Sequence, residues 1–224
     1  MSESSFLYQP PNLPVDVVYQ DKDVFVVNKP SGLLSVPGRG EGLSDSMYTR
    51  VLKLIPFAYV VHRLDMDTSG VMLFARRRKA ERHVKKQFQD RAIGKRYIAL
   101  VQGVFQCKRG VIDKPLMPDP ERKLRHCVSK HGKPSITKYE VLQEGMECSL
   151  VKLMPITGRS HQIRVHLLSI GHPILGDRFY APDPVVRRAD RLCLHAEQIS
   201  FLQPYTQRPT DVTSPHCFDI STVQ

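Results

Sequence analysis

No run of 18 or more apolar residues occurs in the 224-residue chain, so no transmembrane helix is expected. The opening stretch, MSESSFLYQPPNLP, has neither a basic n-region nor an apolar core, so no secretory leader is expected. The five cysteines (Cys107, Cys127, Cys148, Cys193 and Cys217) form an odd set without a CxxC pair. That argues against a disulfide framework and a zinc ribbon, and for free thiols in a reducing compartment, the cytoplasm. Neither Asn12 nor Asn28 lies in a glycosylation sequon. HExxH is missing, and His161 and His166 are five apart, off a common helix face, so no metal site is expected. Gly38, Gly40 and Gly42 lack the G-K-[ST] of a phosphate-binding loop, and no kinase Asn or D-F-G accompanies His62-Arg63-Leu64-Asp65.

Acid is in short supply. Thirty-three Lys and Arg face 22 Asp and Glu, which leaves +11, while 41% hydrophobic and 25% charged residues exclude wholesale disorder. The excess is local. Residues 62–99 hold eleven basic and four acidic side chains, and residues 121–138 hold six and one, so the remainder of the chain carries −1. Clustered positive charge is the footprint of a polyanion partner. Lys85 and Lys86, on the outer face of the first block, are candidate phosphate contacts.

The length suits one domain: a flexible lead over 1–14, a catalytic domain over 15–218 and a tail over 219–224. Strands are expected at Val24–Val27, Val71–Ala75, Arg96–Gln102, Ile136–Leu142, Ser149–Met154 and, last, Leu192–Phe201. One helix follows an N-cap at Ser44 and stops at Pro56, a second runs Lys79–Arg91, and a third runs from His161 to Ile170, with Gly171 as its stop. Asp113–Gly132 reads as a proline-punctuated basic loop. The close-coupled strand pairs predict an α+β fold with a long mixed, mostly antiparallel sheet flanked by helices and loops.

Three segments can carry chemistry. His62 to Gly70 (HRLDMDTSG) mounts the Asp65 carboxylate at the edge of a buried strand. Leu153 to His166 (LMPITGRSHQIRVH) turns at Gly158 into a helix whose Arg164, if buried, needs a carboxylate partner such as Asp65. Gly94 to Val101 carries Tyr97, a ring able to stack on a base. From these residues alone, a non-catalytic RNA binder and a glycosidase using Asp65 and Asp67, ~7 Å apart on an extended segment, stay open.

In this order, these segments resemble the RluA-type family of RNA pseudouridine synthases. The resemblance rests on Asn28-Lys29-Pro30-Ser31-Gly32-Leu33-Leu34, His62-Arg63-Leu64-Asp65 with Thr68-Ser69-Gly70, Lys95-Arg96-Tyr97-Ile98-Ala99, and Pro155 to His166. Gly171 to Asp177 and Leu192 to Ala196 match later landmarks, so roughly residues 15–218 are covered. It implies isomerisation of chosen uridines in stem-loops of large-subunit ribosomal RNA and transfer RNA, by a monomer without metal or cofactor. Asp65 matches the catalytic aspartate, Tyr97 the tyrosine packed on the target base and Arg164 its ion-pairing arginine. Arg63 matches the side chain that replaces the flipped nucleotide. Lys29, Pro30, His62, Thr157, Gly158, Arg159, His161 and Gln162 fall in the same motifs as candidate substrate contacts. The S4 RNA-binding domain of many relatives is not expected here.

Overall fold

In the computed structural model, which describes residues 7–222, alternation along the strands sorts the core into faces. The strands are β1 (Asp16–Gln20), β2 (Val24–Lys29), β3 (Tyr59–Val60), β4 (Ser69–Ala75), β5 (Gly94–Gln102), β6 (Arg109–Asp113), β7 (Leu116–Pro118), β8 (His126–Val128), β9 (Ile136–Glu144), β10 (Cys148–Pro155), β11 (Leu194–Leu202) and β12 (Pro209–Thr213). Ten of them make one sheet in the order β1-β2-β4-β11-β5-β10-β9-β6, with β12 on β11 and β3 on β4. Only the β4–β11 pairing is parallel, so the sheet is mixed and mostly antiparallel, as expected. Helices α1 (Met47–Leu52), α2 (Arg78–Gln89) and α3 (Gln162–Leu168) cover it.

The β4–β11 contact matters most. β11 meets β4 only at His195↔Ser69 and Ala196↔Gly70, and β3 takes the far end of the same edge at Tyr59↔Ala75 and Val60↔Phe74. Between them the sheet is split, and His62 fills the gap: its Nε2 accepts the Leu73 amide at 2.9 Å and its ring stacks on Phe88 at 5.1 Å. Gly70 makes the close approach possible. Its φ is +114°, and a Cβ there would lie 2.2 Å from the Ala196 carbonyl.

One face of the β2–β4 region packs Phe25, Val27, Met72 and Phe74 with Met47 and Val51 of α1, Leu64, Ala196 and Tyr97. The opposite face packs Val24, Val26, Val71 and Leu73 with Val84 and Phe88 of α2. A third cluster, around Leu100, Leu153, Ile163 and Leu175, fills the other half.

Several expectations need correction. The cap of α1 is Ser46, because Ser46 and Thr49 form a reciprocal capping box, so Ser44 lies two residues too early. The basic loop contains the β7–β8 hairpin, paired Leu116↔Val128 to Pro118↔His126; Pro118 is tolerated because it ends a two-stranded ribbon. Leu194–Leu202 is not the last strand, since β12 pairs along it. The second half of the lead is tied down: Tyr8 Oη donates to the Asp45 carbonyl and accepts the Leu34 amide, and Arg50 donates to the Pro11 and Leu13 carbonyls. Residues 1–6 of the lead and 223–224 of the tail lie outside the described residues. The tail's Ile220 is buried against the third core cluster.

Candidate active site

The strand end at Lys29 and the loop 62–68 are stitched together through backbone atoms. Lys29 is wholly buried, and its Nζ donates to the carbonyls of Pro30, Leu33 and Met66 at 2.8, 2.7 and 2.8 Å. Burial pulls its pKa down to about 7, opposed by the charges of Asp67 and Asp65. Ser31 Oγ donates to the Asp67 carbonyl, and Ser35 Oγ donates to the Leu64 carbonyl while accepting the Leu64 amide. The Asp65 backbone is therefore held from both sides. Lys29 is taken up by the framework, with all three ammonium hydrogens used, and His62 Nε2 by the Leu73 amide; Pro30, half-buried, gives its carbonyl to Lys29.

Two distant segments, the turn into α3 and strand β5, converge on Asp65. Its side chain is 28% exposed, with Oδ2 lying 3.4 Å from Arg164 Nη1 and 3.9 Å from His161 Nε2. At 4 Å and an effective dielectric of 20, opposite unit charges attract by roughly 4 kcal/mol, and the partial exposure of Asp65 reduces that. Tyr97, on β5, packs against the core on the same face as Leu64; burial first, then the Asp65 charge, pushes its phenol upward, so it is un-ionised. Asp67 is also pushed up by burial, against the pull of Arg164 and Lys29.

Arg164 makes the expected pair with Asp65 and a closer one besides. Its principal partner is Asp177, with Nε to Oδ2 at 2.8 Å and Nη2 to Oδ1 at 2.7 Å, both side chains almost fully buried. The rings of Phe179 and Tyr180 lie 5.1 and 5.0 Å from the guanidinium carbon. Sequence reasoning placed Asp177 only among matching landmarks; nothing in its spacing from Arg164 signals a bidentate pair.

The turn before α3 locks itself. Thr157 Oγ1 donates to Gln162 Oε1 at 2.7 Å and accepts the Ile136 amide, and Gln162 Oε1 also accepts the Arg159 amide. Gln162 Nε2 donates to the Ile136 carbonyl and to Thr137 Oγ1. Thr157 and Gln162 are thereby occupied in shaping the turn. The left-handed residue is His161, at φ 54°, rather than Gly158. Lys95, mostly buried with its pKa lowered to about 8 by desolvation, donates to the Thr157 carbonyl at 3.2 Å.

His161 Nδ1 lies 2.6 Å from Tyr180 Oη, which accepts the His126 amide at 2.9 Å. The tyrosine proton then serves Nδ1, assigning the ring proton of neutral His161 to Nε2, the edge facing Asp65. Burial lowers the His161 pKa, which favours that neutral form.

Arg63 and Arg159 are exposed. Lys85 and Lys86 are not at this site. Their helix, α2, packs on Val71 and Leu73, the face opposite Leu64 and Tyr97, and they pair with Glu81 and Asp90 at 2.7 and 3.0 Å. The block that does flank the site is the β7–β8 hairpin: the His126 and His161 ring centroids are 5.4 Å apart, and Arg125 lies 6.0 and 5.9 Å from Phe179 and Tyr180. Among the described residues, no group of three or more His, Cys, Asp or Glu converges as metal ligands would.

A split mixed sheet with one carboxylate at the split, an arginine from a later helix and a partly buried tyrosine is the arrangement of an RNA-modifying isomerase. The RNA pseudouridylate synthase family model matches residues 23–169, and the chain belongs to that family. The dual-specificity RNA pseudouridine synthase RluA of Pasteurella multocida is 47% identical over 214 residues, covering 94% of this chain and 98% of that protein. The protein of the same name from Escherichia coli (strain K12) is 49% identical over 200 residues, covering 88% and 91%. The solved structure of human RNA Pseudouridylate Synthase Domain Containing 1 aligns with a TM-score of 0.79 at 29% identity, over 96% of this chain and 89% of that one. The chain is thus a short RNA pseudouridine synthase.

Proposed function

We propose that residues 15–218 form a catalytic domain that converts uridines in stem-loops of both ribosomal and transfer RNA to pseudouridine, with Asp65 as the reacting carboxylate. The reading rests on the meeting of Asp65 with Arg164 at 3.4 Å and His161 at 3.9 Å, beside Tyr97, at a split in the sheet. The dual-specificity relatives support the two RNA classes.

The reaction moves no atoms in or out. The N1–C1′ bond breaks, uracil turns, C5 bonds to C1′, the C5 proton leaves and N1 gains one. The nucleotide must first leave the stack, which costs a few kcal/mol. Arg63, exposed beside Asp65, has the planar cationic head to fill the vacated space. Asp65 supplies negative charge to the base and sugar carbons that react. Tyr97 offers uracil a flat surface, and its un-ionised hydroxyl can donate a hydrogen bond. The hairpin tip, with Arg122 and Lys123 exposed, would hold phosphates. The enzyme works as a monomer in the cytoplasm, where its RNA substrates are.

The test is site-resolved pseudouridine mapping of total RNA from cells with and without the gene. Loss of pseudouridine from both RNA classes is expected. Loss from one class overturns dual targeting, and loss from neither overturns the whole reading.

A further inference from the structure

We propose that Asp177 is the positioning residue of the site: it, and not Asp65, is the counter-ion that holds the Arg164 guanidinium. The proposal deepens the reading above and rests on it for the roles of Asp65 and Arg164. Arginine presents its donors in a fixed planar fork, so two bonds to one carboxylate set the direction of the remaining donors. Here the two short bonds, 2.8 and 2.7 Å, go to Asp177, and one Nη1 hydrogen points at Asp65 across 3.4 Å. Charge-assisted bonds are typically 2.7–2.9 Å, so the Asp65 contact is the loose one.

Asp177 is itself fixed. It is 1% exposed, and its Oδ1 also accepts the amides of Phe179 and Tyr180 at 3.0 and 3.3 Å. Gly176, at φ +73°, brings the chain so close to Arg191 that a Cβ would lie 1.9 Å from its carbonyl. The same turn aims the Phe179 and Tyr180 rings at the guanidinium and sets Tyr180 Oη against His161 Nδ1. One carboxylate therefore orients both groups that face Asp65 Oδ2.

The consequence is chemical. Were Asp65 the sole partner of Arg164, moving toward substrate would strand a buried cation, which is strongly unfavourable. With Asp177 permanently paired, Asp65 can leave its weak contact and react while Arg164 remains neutralised and aimed.

The test measures single-turnover pseudouridine formation at saturating stem-loop RNA, together with RNA affinity, for Asp177→Asn, Asp177→Glu, Arg164→Met and the Asp177→Asn/Arg164→Met double variant. Misaiming the guanidinium in Asp177→Asn should slow the bound-state rate about 100-fold, as small misplacements of catalytic groups do, with affinity changed by less than about 2-fold. Asp177→Glu, which keeps the charge, should recover part of the rate. The double variant should be no slower than Arg164→Met alone, because Asp177 acts through Arg164. That last comparison stands even if Asp177→Asn fails to fold, since the double variant removes both members of the buried pair. A wild-type rate in Asp177→Asn, a Glu variant no better than Asn, or a double variant slower than Arg164→Met overturns the proposal. A wild-type rate in Arg164→Met instead overturns the role given to Arg164.

Discussion

The two basic blocks look alike as strings of letters and differ completely once folded. In α2 three of the five cations meet an acid at helical spacing: Lys85 and Arg78 meet Glu81, and Lys86 meets Asp90. The helix then buries Val84 and Phe88 against the face of the sheet that Asp65 does not use. The hairpin tip sets Asp119 and Glu121 against Arg122, Lys123 and Arg125, and it lies against the aromatic pair that stacks on Arg164. Charge density alone does not mark an RNA contact. On the proposed reading, a position beside the site does, and the hairpin has it while α2 does not.

The comparison can be broken or sharpened in steps. Replacing Asp65 with Asn removes the proposed reacting anion and should lower the rate by about 1,000-fold or more, with RNA affinity largely kept, since no cation of either block is removed. Reversing charge at the hairpin tip with Arg122→Glu and Lys123→Glu should weaken binding about 10-fold at moderate salt and flatten the salt slope by one to two phosphate contacts, roughly 0.9 each, measured by titration at several salt concentrations.

His62 bridges the two faces and gives a stability readout. Its pKa falls from 6.5 to about 3 on burial, chiefly by desolvation. Between those values the unfolded chain takes up a proton that the folded one refuses, so stability drops as pH falls through that window, by at most about 1.4 kcal/mol per pH unit. His62→Gln, which can still accept the Leu73 amide, should flatten the acid limb of a denaturation series; an unchanged limb would show that His62 is not the group responsible. The smallest effect is reserved for Lys85→Ala with Lys86→Ala: affinity and salt slope should stay within about 2-fold, as for exposed ion pairs generally. A large drop there would erase the distinction between the blocks.

What could be read from sequence follows the same divide. Asp65, Tyr97 and Arg164 were legible because their local motifs constrain them, and the strands around them because their apolar runs are unbroken. The amphipathic stripe of α2 announced a buried side but not which face of the sheet it would meet, since either presents β-branched and aromatic residues. The hairpin was hidden by Pro115, Pro118 and Pro120, which punctuate it as they would a loop. β1 and β12 were hidden by brevity and by exposed residues on one side. Asp177 escaped because a bidentate partner thirteen residues away is chosen by how the chain folds back, not by any spacing.

The most direct test saturates both variants with RNA and follows a single turnover. At saturation the hairpin charge reversal should regain the wild-type rate, because only binding was weakened, while Asp65→Asn should form no pseudouridine on bound RNA. Turnover by Asp65→Asn at the wild-type rate would contradict the account.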